Sequence, residues 1–373
     1  MLTHEFAPRR GGIAVYAEEM ARAAAALGHL VEVWAPAPRG QSWPDFPFKM
    51  VWLRNRGTLD WRCRSLTRKV VLSRSIEEPD TTLYLVEPGP MMALMESGAI
   101  DWLEDHRIVL TLHGSEILRF HRWRHWRRRF AKFLDRAEVV SVVSEPIRQL
   151  LGERFGAAAA ERALLAPGAL RHDFPLASQA NAKPRENGKV RFLTVARIHP
   201  RKGQLALVEA LAALPKTMRK GVELQLAGPV RDARYFRQLF RQADAGGVAL
   251  DYLGEVADGE LPAIYAGADV FAMTSLPLPH SIEGFGLVYL EAAACGLPVL
   301  AHDTGGVSAA VAHEVSGLLL RPGDSAALME ACRRLIEEPE LRARLAQGGR
   351  DRLSHFSWSE NVRRLFGSQK AAP

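Results

Sequence analysis

Short runs of apolar residues alternate with amphipathic stretches along most of the chain. The apolar runs are rich in valine, leucine and isoleucine, whereas the stretches between them, such as 16–27, space their apolar residues as a helix does. This alternation predicts βαβ units with parallel sheets. The first predicted series has a short strand at 2–4, followed by strands at 30–34, 49–53, 82–86, 107–112 and 139–143.

A second series follows a stretch at 167–188 that holds proline, glycine, asparagine and serine without a sustained period. Its predicted strands are 191–196, 223–227, 249–253, 270–273, 298–301 and 317–320, and predicted helices at 325–337, 340–355 and 357–369 close the chain. We therefore predict two Rossmann-like α/β domains, at 1–170 and 189–355, with a linker at 171–188 and a separate C-terminal helix at 356–373. Ligands of such sheets bind at the carboxyl ends of the strands, so the expected site is a cleft between the domains.

Length and composition agree with two soluble globular domains. The chain has 373 residues, of which 47% are hydrophobic and 24% charged, and it holds neither a membrane-length apolar run nor a signal-peptide pattern. Cys63, Cys295 and Cys332 are scattered without the spacing of a disulfide framework or a zinc site. The sequence thus predicts a cytoplasmic protein with no structural metal.

The net charge of +7 predicts attraction to an acidic partner, and much of this charge is concentrated at 119–136. Eight Lys or Arg residues stand there against one Asp, with Trp123, Trp126, Phe130 and Phe133 at roughly helical spacing. The pattern predicts one amphipathic helix with a cationic face. One interpretation is that the basic residues of this helix are simply solvated. The other is that they form a surface that binds anionic lipid on the inner side of the membrane, or an acidic acceptor. Nucleic acid is not expected, because no nucleic-acid motif accompanies the charge.

The strongest chemical signal is the segment from Glu283 to Glu291, which runs into an almost wholly apolar helix. Glycines before this helix let backbone approach a ligand closely, and the helix start near Gly286 offers N–H groups to an anion such as a diphosphate. A carboxylate on a buried helix needs a partner, and ribose hydroxyls would suit Glu291; the alternative is a glutamate that faces solvent.

Three other strand ends carry candidate groups. Arg197 and Lys202 follow the first strand of the second domain, where two fixed cations could neutralise a diphosphate leaving group in place of a metal, although solvated loop cations are common. Gly11 and Gly12 form an anion-compatible turn before the first helix, or merely a strand-to-helix connection. His113 follows the strand at 107–112, where a lone histidine is either structural or a ligand contact.

These motifs resemble those of the retaining glycosyltransferases with the GT-B fold, specifically family 4, and the resemblance extends over nearly the whole chain. It implies that Glu283 contacts the donor sugar, that the backbone of Gly286, Leu287 and Val288 receives phosphate, and that Glu291 holds the ribose. Arg197 and Lys202 match the family's phosphate-binding pair. Gly12 matches the glycine loop that reaches the phosphates, and His113 matches a residue that contacts the donor sugar. Gly254 and Val256 fall where the nucleobase-facing loop is expected.

The resemblance also implies the roles of the domains and the reaction. The N-terminal domain would bind the acceptor, with Gly11, Gly12 and His113 on that side, and the last helix would cross back to it. His113, Glu283, Arg197 and Lys202 are the predicted catalytic residues. The predicted reaction moves a sugar from a nucleotide-diphosphate donor to an acceptor hydroxyl, with retention and without metal or cofactor.

The acceptor and the donor base are left open by the sequence, and a lipid-linked or glycan acceptor of cell-envelope or polysaccharide synthesis is one candidate. Two rival functions also remain at this point. One is a nucleotide-sugar epimerase or hydrolase on the same fold, and the other is a non-catalytic protein that binds anionic membranes.

Overall fold

The structure is a computed structural model that describes residues 1–8, 11–37, 45–54, 61–77, 81–96, 103, 105–176 and 188–367. It divides into two compact units, each described here by itself. Unit 1 comprises Met1–Arg171 with Ser357–Pro373, and unit 2 comprises His172–Phe356. Most of the predicted linker, at 177–187, lies outside the described residues, as do positions 368–369 of the predicted last helix.

Unit 1 is a parallel sheet with helices between its strands. The strands are β1 (Glu32–Pro36), β2 (Lys49–Leu53), β3 (Leu83–Leu85), β4 (Ile108–Leu112), β5 (Val139–Val142) and β6 (Leu164–Leu165). The helices are α1 (Gly12–Ala26), α2 (Trp61–Glu77), α3 (Pro88–Met95), α4 (Ser115–Arg122), α5 (Arg124–Arg136), α6 (Glu145–Phe155) and α7 (Ala157–Glu161). Strands pair with β4 on both sides in the order β3-β4-β5-β6, and all five of its residues are buried, as is typical of a central parallel strand whose two faces are covered by helices.

The predicted first strand is reduced to a bridge at Leu2, which pairs in parallel with Trp34 of β1 and Leu85 of β3. This bridge joins the β1-β2 pair to the four-stranded part of the sheet. The strand predicted at 30–34 begins two residues later, at Glu32, and Leu30 is fully exposed. Apolar character alone therefore placed the start of β1 too early.

The last helix of the chain, α16 (Trp358–Phe366), belongs to unit 1 and contacts α1. Its side chains hydrogen-bond to carbonyls of the segment that ends unit 1: Trp358 Nε1 donates to Leu170 at 2.9 Å, and Asn361 Nδ2 donates to Pro167 at 2.6 Å. Ser357 caps the helix by accepting from the Glu360 amide at 3.3 Å. These bonds attach the C-terminal helix to the N-terminal part of the chain.

Unit 2 is a six-stranded parallel sheet in the order β12-β11-β10-β7-β8-β9. The strands are β7 (Val190–Val195), β8 (Val222–Ala227), β9 (Ala249–Gly254), β10 (Val270–Met273), β11 (Val299–His302) and β12 (Gly317–Leu320). The helices are α8 (Gln204–Ala212), α9 (Lys216–Arg219), α10 (Ala233–Gly246), α11 (Leu261–Ala266), α12 (Leu287–Ala294), α13 (Val307–Ala310), α14 (Ser325–Glu337) and α15 (Pro339–Arg352). All four residues of the central strand β10 are buried, whereas the edge strand β9 begins with alternating exposed and half-buried residues.

The predicted α/β class, with a parallel sheet in each half, is confirmed. The prediction of one continuous helix over 119–136 is wrong, because α4 and α5 are separated by an extended Trp123 with φ −110° and ψ 129°. The break lets Phe120 and Phe130 meet with ring centroids 4.7 Å apart. In one straight helix, ten residues would separate them by about 15 Å along the axis. Across the described residues, no helix combines the length and hydropathy needed to span a bilayer.

Candidate active site

A buried ion cluster lies just beyond the carboxyl ends of β7 and β10 in unit 2. The Glu283 carboxylate oxygen Oε2 accepts from Lys202 Nζ at 2.6 Å and from Arg201 Nη1 at 3.1 Å. Ser275 Oγ, two residues past β10, lies 3.4 Å from the same oxygen. The charged side chains are only 11% to 12% exposed. Because two cations meet one anion, the cluster has an excess of one positive charge.

The electrostatics of the cluster follow from that excess. Burial acts to raise the pKa of Glu283, but the charges of Lys202 and Arg201 outweigh it and lower that pKa, so the carboxylate is ionised. Burial, the largest effect on Lys202, lowers the pKa of its ammonium group; the Glu283 charge opposes this shift, and Arg201 and Arg197 add to it. A second anion near these cations would therefore be stabilised electrostatically.

The backbone beneath the cations is fixed by Gly203, which directly follows Lys202. Gly203 has φ 70°, and a Cβ atom there would lie 1.7 Å from the carbonyl oxygen of Thr274. Thr274 Oγ1 in turn donates to the Gly203 carbonyl at 2.7 Å. Only glycine permits this approach of the loop to β10, so the position of Lys202 is set by the backbone.

Helix α12 begins four residues after Glu283 and presents the predicted phosphate-binding backbone. Gly286 caps its N-terminus with φ 90°, and Leu287 and Val288 are its first residues. A Cβ at Gly286 would lie 2.5 Å from the Tyr289 ring, so this glycine is required by packing as well as by its positive φ. The helix starts without a side-chain cap, which leaves its first amides as donors.

Glu291 lies on the same helix and is 7% exposed. Its Oε2 accepts from the Tyr265 hydroxyl at 2.9 Å, and Tyr265 is fully buried. The prediction that Glu291 needs a hydrogen-bonding partner is therefore met in part by a protein side chain. A tyrosine hydroxyl occupies one acceptor position, and a carboxylate has others for further donors such as ribose hydroxyls.

The remaining predicted donor residues lie at neighbouring strand ends of unit 2. Arg197 follows β7 and is exposed, with its carbonyl accepting from Gln204 Nε2 at 3.0 Å. Gly254 ends β9 with φ 78°, and a Cβ there would meet nothing within 4 Å. Val256 is half-buried two residues later. The structure thus brings Lys202 and Glu283 into direct contact, with Arg197 close enough for its charge to lower the pKa of Lys202, and places Gly254 and Val256 at another strand end of the same sheet.

The acceptor-side residues belong to unit 1. Gly11 caps α1, whose first residue is Gly12, and a Cβ at Gly12 would meet nothing within 4 Å. His113 follows β4 and packs edge-on against Tyr16 with ring centroids 4.9 Å apart. Its Nε2 is buried and has no hydrogen-bond partner among the described residues. Burial lowers the pKa of His113 to about 4, against a hydrogen bond with the Val86 backbone, so the ring is neutral near pH 7.

Two buried carboxylates at the strand ends of unit 1 were not predicted. Glu116 accepts from the backbone amides of His113 and Gly114, the second at 3.0 Å. Glu87, at the end of β3, accepts from the amides of His4 at 2.8 Å and Gly89 at 2.7 Å. Burial raises the pKa of Glu116, and it raises the pKa of Glu87 to about 8. Their position directly after apolar strands was the available signal.

Arg201 and Tyr265 were also missed. Arg201 stands inside the basic motif beside Lys202, but nothing in the sequence distinguishes a buried arginine there from a solvated one. Tyr265 ends a helical segment far from Glu291 in sequence, and the contact forms only through folding. Both residues complete charged groups that the sequence had singled out.

Two Rossmann-like α/β units, one with a cationic site at its strand ends, are characteristic of the GT-B fold class. Two family models match the chain, Glycosyl transferases group 1 over residues 177–352 and Glycosyltransferase Family 4 over residues 10–169. The chain therefore belongs to the group 1 glycosyltransferases, the family that its sequence motifs predicted.

Similar proteins support the assignment over the full length. A GDP-mannose-dependent alpha-(1-6)-phosphatidylinositol monomannoside mannosyltransferase of Mycolicibacterium smegmatis is 31% identical over 98% of this chain and 96% of its own length. A D-inositol 3-phosphate glycosyltransferase of Saccharomonospora viridis is 28% identical over 97% and 89%. The sucrose-phosphate synthase structure from Thermosynechococcus elongatus shares the fold, with a TM-score of 0.78 at 21% identity over 97% and 96% of the two chains.

Proposed function

We propose that this glycosyltransferase transfers a hexose from a nucleotide-diphosphate sugar, with GDP-mannose as the first candidate donor, to a hydroxyl of a phosphate-bearing inositol. The donor is suggested by the mannosyltransferase relatives, which match nearly the whole chain. The acceptor is the chemistry shared by those relatives and the D-inositol 3-phosphate enzymes. Donor binding is assigned to unit 2 and acceptor binding, with Gly11, Gly12 and His113, to unit 1.

The observation that carries the proposal is the excess positive charge around Glu283. A diphosphate needs fixed positive charge as it leaves the sugar, and Lys202 with Arg197 and the first amides of α12 would supply it. Glu283 would then accept hydrogen bonds from the sugar, and Glu291, already held by Tyr265, would accept them from ribose. Gly254 and Val256 would face the nucleobase.

We assign the reaction no metal and a retaining outcome. Lysine, arginine and helix amides can stabilise a diphosphate without a divalent ion. A carboxylate bound by two cations is a weak nucleophile, which disfavours a covalent sugar on Glu283. Attack by the acceptor on the face from which the diphosphate leaves, with a phosphate oxygen taking the acceptor proton, gives retention and balances the proton.

Donor turnover with purified protein tests the function. GDP-mannose and UDP-, ADP- and dTDP-sugars are compared with and without an inositol phosphate acceptor, in the presence of EDTA. Lys202→Ala should lower kcat/KM by about 100- to 1,000-fold, because one preorganised charge is lost. Lys216→Ala, an exposed lysine of the same unit, should be unchanged. Donor consumption without acceptor would indicate a hydrolase or epimerase, and full activity of Lys202→Ala would refute the site.

We also propose peripheral association with anionic membrane through α4 and α5. Phe130 and Phe133 are buried, whereas Trp123 is 55% exposed with the Arg122 guanidinium 5.1 Å from its ring centre. Helix α5 adds five exposed Lys or Arg residues, which are Arg124, Arg127, Arg128, Arg129 and Lys132. Anionic lipid attracts each such charge by about 1 kcal/mol.

Vesicle co-sedimentation tests this association. The protein should bind phosphatidylserine vesicles and not phosphatidylcholine vesicles, and binding should weaken with salt. The double variant Arg127→Ala/Arg128→Ala should bind less. Arg237→Ala/Arg241→Ala, which removes two exposed arginines of α10, is the matched control. Equal binding of both double variants would assign the basic face to solvent alone.

A further inference from the structure

Arg201 is a buried arginine beside the proposed phosphate-binding lysine, and no predicted role covers it. Its guanidinium and the Lys202 ammonium share one oxygen of Glu283, at 3.1 Å and 2.6 Å. The donor's diphosphate would add two negative charges to a cluster that has one positive charge in excess. One of the two cations can therefore leave Glu283 for the phosphate, while the other stays.

The two cations differ in how freely they can exchange partners. The Arg201 backbone is held on both sides: its amide donates to His199 Nδ1 at 3.1 Å, and its carbonyl accepts from the Leu276 amide at 2.8 Å. Leu276 follows Ser275, which also contacts Glu283. Arg201 is thus tied to the same strand end as the carboxylate. Lys202 has a flexible stem and a compact charge that can turn between two anions.

We propose that Arg201 is the positioning residue that keeps Glu283 fixed and ionised when Lys202 turns from Glu283 to the donor diphosphate. This inference rests on the proposed diphosphate donor. Without Arg201, departure of Lys202 would leave a carboxylate that is 12% exposed and whose remaining side-chain contact among the described residues is the weak one to Ser275. Glu283 would then take up a proton or change rotamer, and it would lose its role as an acceptor for sugar hydroxyls.

The experiment compares Arg201→Met and Arg201→Lys with the wild type in donor binding and in pH dependence. GDP and UDP serve as probes of diphosphate binding through the shift in melting temperature. Arg201→Met should keep this shift, whereas its kcat should fall between about 10- and 100-fold. The acid limb of its kcat profile should move up by about one pH unit, because Lys202 has turned to the diphosphate in the donor complex and Arg201 was the positive charge left beside Glu283. Arg201→Lys should keep the wild-type limb.

Other groups near Glu283 are accounted for in this design. The neighbours of the Glu283 carboxylate include Lys202, Ser275 and Tyr289 of α12. His302, at the end of β11, lies within hydrogen-bond distance of the Ser275 carbonyl. They are the same in all three proteins, so a difference in the acid limb reports the residue at position 201. Arg231→Met, an exposed arginine of the same unit, controls for loss of a general positive charge.

Several outcomes would overturn the inference while leaving the proposed function intact. Loss of the nucleotide-induced shift in Arg201→Met as large as in Lys202→Ala would make Arg201 a direct phosphate ligand. Wild-type kcat and acid limb in Arg201→Met would leave it a structural residue only. If Arg201→Met does not fold, the test depends on Arg201→Lys, which keeps the positive charge. A shift of its acid limb to higher pH than in the wild type would then contradict the inference. Nucleotide shifts unaffected in both Arg201→Met and Lys202→Ala would instead refute the proposed donor site.

Discussion

The two units place buried ionisable groups at the same edge of similar parallel sheets, but they satisfy those groups differently. In unit 2, Glu283 is paired with two side-chain cations, Lys202 and Arg201. In unit 1, Glu87 and Glu116 accept from backbone amides instead. The side-chain charges keep Glu283 ionised, whereas in unit 1 burial raises the pKa of both carboxyls by more than the hydrogen bonds from backbone amides lower it.

The difference shows how one architecture can be suited to two kinds of ligand. The edge of unit 2 keeps fixed charges with a positive excess, which suits an anion. The edge of unit 1 holds a neutral His113, whose buried Nε2 has no hydrogen-bond partner among the described residues, and two carboxyl groups whose pKa values burial raises, which suits hydroxyl groups of a sugar or cyclitol. The comparison thus agrees with the proposed division into donor and acceptor units.

The largest effect is expected when the carboxylate of each edge is made neutral. Glu283→Gln leaves two buried cations without an anion and should lower the free energy of unfolding by about 3 kcal/mol. In Glu116→Gln, the amide oxygen can still accept from the His113 and Gly114 amides, so the loss should be below about 1 kcal/mol. Guanidinium denaturation followed by circular dichroism measures both.

Inorganic pyrophosphate sharpens this test. As an anion it can replace the missing charge, so it should raise the melting temperature of Glu283→Gln more than that of the wild type. It should have no such preference for Glu116→Gln. Equal destabilisation of the two variants, with equal response to pyrophosphate, would mean that the two edges do not differ in charge.

Much of the fold could be predicted because buried parallel strands are continuous apolar runs. β10, with four consecutive buried residues, was predicted with its observed bounds. β6 was missed, since two residues give no period, and so was the break at Trp123. No glycine or proline marks that break. It follows from the packing of Phe120 on Phe130, which local sequence does not encode.

Less of the site could be predicted, because its contacts join distant segments. The position after the first strand of the second domain selected Lys202, and the glycine-led motif with its family resemblance selected Glu283. That these two residues, which lie 81 positions apart, are in direct contact was not predicted. Neither signal says which neighbouring cation is buried, so Arg201 went unnoticed beside Lys202. Tyr265 and Glu291 meet through the packing of α11 on α12, and no motif marks the tyrosine.

The smaller predicted effect concerns the neutral histidine of unit 1. The pKa of His113 is lowered by burial to about 4 from an unperturbed value of 6.5, so the unfolded chain binds its proton more readily. Stability from this group is complete above pH 6.5 and is lost as the pH falls toward 4. Over that pH range the free energy of unfolding of the wild type should fall by about 1 to 3 kcal/mol more than that of His113→Asn.

Tryptophan fluorescence isolates this effect, because all eight tryptophans of the chain fall within the ranges of unit 1. Denaturation curves at pH 7 and pH 4.5 give the difference between wild type and His113→Asn at each pH, and groups common to both proteins cancel. His280→Asn, which changes an exposed histidine in unit 2, is the control variant. If the His113→Asn difference were the same at both pH values, burial would not lower the pKa of His113, and the folded ring would be protonated at pH 4.5. At that pH the edge of unit 1 would carry a positive charge as the edge of unit 2 does, and the contrast between the two edges would fail there.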